Sequence, residues 1–333
     1  MQIAVLGSGS WGTALAIQLA RAGNSIRLWS RSSQMAYQMQ QDRENKRYLP
    51  GIELPSSIVV ASELDYCLLS CDMIVSVIPS QHTRSVLENA LPLLNPLVPI
   101  CCASKGIEGG TLMTMEEVFR DVLPRSFHAQ LAFLAGPSFA KEVALDLPTA
   151  VVVASRFSEV AEEVAQAFHA GRFRVYHTDD IVGAELGGAL KNVVAIACGV
   201  ADGLGVGLNA RAALMTRGLA EITRIAVARG ANPLTLAGLS GMGDLVLTCT
   251  GNLSRNRRVG LGLGEGKKLS VILEELGQVA EGVVTTETAH ELAMREGIEA
   301  PITEEVYNLL YKEKSAVDAL RNLLGRERRA ERG

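Results

Sequence analysis

Aromatic side chains are scarce in this chain: Phe, Trp and Tyr make up 5% of its 333 residues. With 32 glycines beside them, the composition points to Ala/Val/Leu-packed helices and tight glycine turns rather than an aromatic-rich β protein. Long apolar runs are missing too. No stretch of 18 or more residues is purely apolar, so no membrane span is expected. The richest stretch, 181–208, is broken by Glu185, Lys191, Asn192, Asp202 and several glycines. A basic leader is absent, and residues 2–6 already read as a strand, so no signal peptide is expected. The five histidines show no HxxxH spacing, and the six cysteines (Cys67, Cys71, Cys101, Cys102, Cys198, Cys249) form no CxxC pair. They read as reduced, buried thiols, and no metal site is expected. Positive charge is not in excess either. With 32 basic and 36 acidic residues the net charge is −4, which disfavours a general nucleic-acid binder.

What the chain has is length and pattern. At about 150 residues per domain it is long enough for two. Apolar residues reach 48% against 20% charged, a globular balance rather than a disordered one. Apolar runs at 2–6, 26–29, 73–78, 98–103 and 131–135 read as parallel strands covered on both faces, being rich in Val, Ile and Leu without alternation. Helices are expected between them at 11–22, 83–90 and 114–122, the pattern of a doubly wound α/β sheet. Two further strands are expected at 149–154 and 172–177, around a helix at 158–169. Beyond about 179 the strand signal fades into helices at 180–200, 210–229, 254–263, 269–275, 284–296, 301–311 and 315–323. The expected organisation is a dinucleotide-binding domain at 1–178, an all-helical substrate domain at 179–325 and a charged, fraying tail at 326–333.

Gly7-Ser8-Gly9-Ser10-Trp11-Gly12 fits the GxGxxG phosphate turn, and its context matters more than the match. A strand leads in and a helix leads out. Gly7 permits the tight turn, Gly9 lets the backbone approach a pyrophosphate, and Gly12 lets the helix lie on the strand. The helix N-terminus offers free N–H groups and partial positive charge to the phosphates. The second strand ends at Trp29-Ser30-Arg31, without the acid that usually selects NAD. Arg31 can pair with a 2′-phosphate, so NADP is expected to be accepted; a solvated Arg31 is the alternative.

Three further placements of positive charge are hard to explain as ordinary surface. Lys105 follows a strand at its carboxyl end, where such sheets bind ligands; an ordinary loop lysine is the alternative. Lys191 sits in a helix apolar over most of its circumference, so it must be paired, shed its proton or snorkel to solvent. Glu185 is not its helical partner, since six residues is about 600°, roughly 120° off the same face. Ser254 reads as an N-cap followed by Arg255-Asn256-Arg257-Arg258, and arginines in a first helical turn oppose the helix dipole unless an anion binds there. A solvated basic turn is the alternative. Upstream, Asp244 puts one carboxylate into a glycine-rich turn.

Taken in order, GSGSWGTALA, SKGIE, LAGPSFAKEVA, ELGGALKNVVAIACGVADGLG, GLSGMGDLVLTCTGNLSRNRRVGLGLGEG and VAEGVVTTE closely resemble the bacterial-type NAD(P)-dependent glycerol-3-phosphate dehydrogenases, from about residue 2 to about 324. The resemblance implies a Rossmann-type domain plus an all-α C-terminal domain, usually as a homodimer in the cytoplasm. It implies reduction of dihydroxyacetone phosphate to sn-glycerol 3-phosphate with NADPH or NADH, for phospholipid synthesis. Lys191 matches the family's proton donor/acceptor, with Lys105 and Asp244 assisting it. Lys105, Gly136, Ser138, Asp244, Ser254, Arg255 and Asn256 match substrate-contacting positions. Ser10, Trp11, Arg31, Lys105, Ala140, Arg255, Val279 and Glu281 match cofactor-contacting positions. Two residues depart from the pattern: many members carry Cys at Gly187 and Asp at Leu208. Two rival readings remain, a two-domain reductase of a β-hydroxy acid, which also uses a helical Lys-Asn pair, and a non-catalytic NADPH-binding sensor.

Overall fold

The computed structural model describes residues 1–327. The end of the expected charged tail, 328–333, lies outside the described residues. The chain forms two compact units. One comprises Met1–Gly188 and Gly230–Asp244; the other comprises Ala189–Arg229 and the described residues from Leu245 on. The chain thus passes from one unit to the other three times, after Gly188, Arg229 and Asp244.

The first unit is built on strands β1 (Gln2–Leu6), β2 (Ser25–Trp29), β3 (Glu44–Asn45), β4 (Leu49–Glu53), β5 (Ile58–Ala61), β6 (Met73–Ser76), β7 (Ile100–Cys102), β8 (Leu131–Ala135), β9 (Thr149–Ala154) and β10 (Phe173–Thr178). Eight of them form one sheet in the order β10-β9-β8-β7-β6-β1-β2-β5, while β3 and β4 make a small antiparallel pair. The sheet is parallel except at β8–β9. Both faces are covered, which is why its strands lack alternation: Ile3 and Val5 enter one core cluster, Ala4 and Leu6 the other. The seven expected strands all form. The edge strand β5 and the β3–β4 pair were not foreseen: β5 and β3 have only four and two residues, and β4 carries Pro50 and Gly51.

Helices α1 (Ser10–Arg21), α2 (Ser33–Asp42), α3 (Leu64–Leu68), α4 (Ser80–Ala90), α5 (Met115–Val122), α6 (Ala140–Ala144) and α7 (Ser158–Phe168) connect these strands. The start of α5 is fixed by a capping box in which Thr114 and Glu117 satisfy each other's backbone. No strand follows Thr178 among the described residues. The chain continues as α8 (Ile181–Gly203), α9 (Leu208–Ala228), α10 (Pro233–Leu236), a π-helical turn (Leu239–Gly243), α11 (Asp244–Thr250), α12 (Arg255–Gly264), α13 (Leu269–Leu276), α14 (Glu281–Arg295), α15 (Pro301–Tyr311) and α16 (Ala316–Leu324).

By length and hydropathy α8 could cross a membrane, but 89% of its most apolar window is buried inside the protein, so it is a core helix. In the second unit α8 and α12 touch backbone to backbone through two pairs of glycines. A Cβ at Gly260 would lie 1.9 Å from the Ile196 carbonyl, and one at Gly264 2.4 Å from that of Val200. A Cβ at Gly199 would lie 2.1 Å from the Arg257 carbonyl.

Candidate active site

The phosphate turn lies at the switch point of the sheet order, between the carboxyl ends of β1 and β6. Gly7 has φ +117°, and a Cβ on it would meet the Val77 carbonyl at 2.5 Å. A Cβ on Gly12 would stand 1.8 Å from the Gly7 carbonyl, so α1 can open here only on a glycine. Gly9 is the N-cap of α1, with no side chain to satisfy the first N–H groups, no acid in the first turn and open space beside its Cα. That leaves unclaimed donors and a positive helix end, which suits a pyrophosphate. Neighbouring side chains hold the turn in shape. Trp11 Nε1 donates to the Ala103 carbonyl at 3.2 Å, and Asn45 Nδ2 donates to Ser8 O at 2.9 Å and to Thr13 Oγ1 at 2.8 Å. Asn45 was not singled out from the sequence, since nothing local ties β3 to the turn. Arg31 is exposed just past the carboxyl end of β2.

Lys105 follows β7 and is anchored within the same unit. Its Nζ donates to Asp244 Oδ2 at 2.8 Å and to the Gly136 carbonyl at 3.1 Å, and Ser138 Oγ donates to that same carbonyl at 3.0 Å. Four residues marked separately in the sequence therefore meet at one point. Asp244 is only 1% exposed and opens α11, directly after the π-helical turn. The turn explains the glycine run before it, because a Cβ on Gly241 would lie 2.0 Å from the Leu236 carbonyl. Gly187 belongs to this packing as well: a Cβ there would come within 2.6 Å of the Ser240 carbonyl, so a cysteine would require the backbone to shift. Ala140 begins α6, shortly after Ser138.

In the second unit Lys191 is 6% exposed, and its Nζ donates to Thr248 Oγ1 at 2.8 Å. The hydroxyl belongs to α11, 57 residues on in the chain. Ser254 is the N-cap it was expected to be, its Oγ accepting from Arg257 N at 3.2 Å. The arginines divide their work. Arg255 Nη1 donates to the Val279 carbonyl at 2.7 Å, while Arg257 pairs with Asp202. Asn256 Oδ1 accepts from Gly282 N at 2.9 Å. Val279 and Gly282, on either side of Glu281, are thereby tied to the Ser254–Asn256 turn. Leu208, the second departure from the pattern, is 70% exposed at the start of α9.

The N-terminal part of the chain, residues 2–161, matches the family profile described as NAD-dependent glycerol-3-phosphate dehydrogenase N-terminus, and residues 180–321 match the C-terminus of the same family. Relatives named glycerol-3-phosphate dehydrogenase (NAD(P)+) run the full length. The one from Geobacter sp. strain M21 is 52% identical over 99% of this chain and 98% of its own; the one from Myxococcus xanthus is 51% identical over 99% of each. This chain belongs to the NAD-dependent glycerol-3-phosphate dehydrogenase family.

The crystal structure of the Coxiella burnetii glycerol-3-phosphate dehydrogenase superposes with a TM-score of 0.94 at 43% identity, covering 98% of this chain and 99% of that one. D-mandelate dehydrogenase and a 2-dehydropantoate 2-reductase, at 14% and 17% identity and TM-scores of 0.63 and 0.60, share the fold alone. Among the described residues no group of three or more His, Cys, Asp and Glu could hold a metal ion. All six cysteines are free. Burial pushes the Cys67 thiol up to about 12, which keeps it protonated and unreactive.

Proposed function

We propose that this member of the family reduces dihydroxyacetone phosphate to sn-glycerol 3-phosphate with NADPH or NADH, in the reversible reaction its full-length relatives are named for. The observation that carries this reading is a 52% identity spanning both halves of the chain, glycine turn and basic turn included. The uncapped N-terminus of α1 and the open side of Gly9 fit a dinucleotide pyrophosphate. Bound there, the cofactor supplies the hydride that reduces the ketone carbon.

Lys191, as the ammonium, donates a proton to the carbonyl oxygen as negative charge grows on it. Thr248 orients that ammonium by accepting a hydrogen bond from it. Lys105 adds electrostatic stabilisation, and Asp244 together with the Gly136 carbonyl holds it in place. Arg255, Ser254 and Asn256 take the substrate phosphate, whose binding far from the reacting carbon orients that carbon. Arg31 is assigned the 2′-phosphate of NADP.

The protein is further read as a cytoplasmic homodimer feeding glycerophospholipid synthesis. Its free thiols suit a reducing compartment. The deciding experiment follows NADPH oxidation by absorbance, first with dihydroxyacetone phosphate and then with β-keto acids. Turnover with the first alone is expected. Turnover with β-keto acids would favour the hydroxy-acid reductase, and turnover with neither would leave a cofactor-binding sensor. Light scattering in solution tests the dimer.

A further inference from the structure

We infer that Asp202 is a positioning residue for the substrate phosphate: through Arg257 it fixes the Ser254–Asn256 turn against the helix that carries Lys191. The inference rests on the functional reading above and assigns a task to residues which that reading leaves unused.

Asp202 lies on α8 eleven residues after Lys191, which is about three turns, so both side chains leave the helix on nearly the same side. Its Oδ2 accepts from Arg257 Nη2 at 2.6 Å and from Arg257 Nε at 2.9 Å, a two-pronged grip on one guanidinium. Arg211, in the first turn of α9, reaches the same carboxylate at 3.3 Å. The Asp202 and Arg257 side chains are only 15% and 13% exposed, so solvent and salt screen the pair weakly.

Arg257 in turn holds the loop that leads into α12. Its Nη1 donates to Asn252 Oδ1 at 3.0 Å, and its backbone N–H is the one that Ser254 caps. The turn is therefore held to α8 twice. Glycine contact at Gly199 brings the Arg257 backbone against the helix, and the Asp202 pair fixes the Arg257 side chain. Gly282 closes the arrangement near Lys191: a Cβ on it would lie 2.7 Å from Asn256 Oδ1 and 3.0 Å from the Asn192 carbonyl.

The electrostatics agree with this role. Three arginines in the first turn of α12 oppose the helix dipole, and Asp202 neutralises Arg257 without touching Arg255. Without the carboxylate, the Arg257 and Arg211 guanidiniums would lie together uncompensated, and the turn would swing away from its place beside α8.

The test compares Asp202→Asn with Asp202→Glu and the wild type. Asp202→Asn is expected to lower kcat/KM for dihydroxyacetone phosphate by about 10- to 10²-fold, mostly through KM, since small misplacements cost that much. Calorimetric titration with inorganic phosphate should show a similar loss of affinity, and Asp202→Glu should recover part of both. A lower Tm with unchanged KM and unchanged phosphate affinity would overturn the inference and leave a stabilising ion pair. If Asp202→Asn does not fold, Arg257→Gln takes its place, with the same KM and phosphate outcomes expected and the same ones overturning it. Should the wild type fail to reduce dihydroxyacetone phosphate, the functional reading falls, while the phosphate titration still decides the role of Asp202.

Discussion

Helices α1 and α12 are the two whose N-termini we assign to anions under the proposed function, and they are built in opposite ways. The first turn of α1 has a glycine cap, no capping side chain and no charge, so its donors are backbone groups reached through missing atoms. The first turn of α12 is capped by its own serine and crowded with arginines, so its donors are side chains anchored by neighbours. A backbone site is broken by adding an atom, and a side-chain site by removing one. A third N-terminus completes the series. The start of α15 has Ala300 as its cap, and Glu221 of α9 supplies the acceptor instead, bonding Ile302 N at 2.6 Å. The two lysines sit in different units, Lys105 donating to Asp244 and Lys191 donating to Thr248.

The largest effect should come from Lys191. Lys191→Ala is expected to lower kcat by about 10²–10⁴-fold, the range for general acid catalysis. Steady-state kinetics check it, and a near-normal kcat would return Lys191 to a structural role. Next comes the atom added to the backbone site. Gly12→Ala places a methyl 1.8 Å from the Gly7 carbonyl, so NADPH affinity should collapse and stability should fall by about 1–3 kcal/mol, as for an overpacked core. Fluorescence titration and thermal melting read the two effects together.

The converse is Arg255→Ala, which removes a charged donor from the side-chain site. KM for dihydroxyacetone phosphate should rise by an amount equivalent to about 1.5–3 kcal/mol, with the fold retained. An unchanged KM would remove Arg255 from phosphate binding.

The smallest effect concerns the third N-terminus. Burial lifts the Glu221 carboxyl from its ordinary 4.5 to about 7. Folding therefore favours its protonated form. The stability it contributes is complete below about pH 4.5 and is lost as pH rises through about 7. Glu221→Gln should flatten that part of the Tm–pH curve, by at most about 1.4 kcal/mol per pH unit. Parallel curves for the two proteins would show that Glu221 does not titrate there.

Much of this could be read along the chain because the signals were local. β1, Gly7–Gly12 and α1 are contiguous, as are Ser254 and the turn it caps, and parallel strands buried on both faces announce themselves as apolar runs. What stayed hidden depends on distance. Asp202 and Arg257 are 55 residues apart, and Glu221 caps a helix 81 residues away. Thr248 reads as an ordinary helical threonine until Lys191 meets it 57 residues off in sequence. Edge strand β5 escaped because four residues carry too short a period to count. The meeting of Lys105, Gly136, Ser138 and Asp244 shows the middle case: each residue could be marked, but only the fold closes the group.

The threefold passage of the chain between units bears on how such enzymes can be taken apart. A fragment ending at residue 178 would keep the whole eight-stranded sheet yet lose Gly188 and Asp244, which belong to the same unit. Lys105 would then be stripped of the carboxylate that fixes it. No single crossover in the gene can exchange the nucleotide-binding half between relatives intact, so recombination within this family has to move two separate stretches of sequence at once.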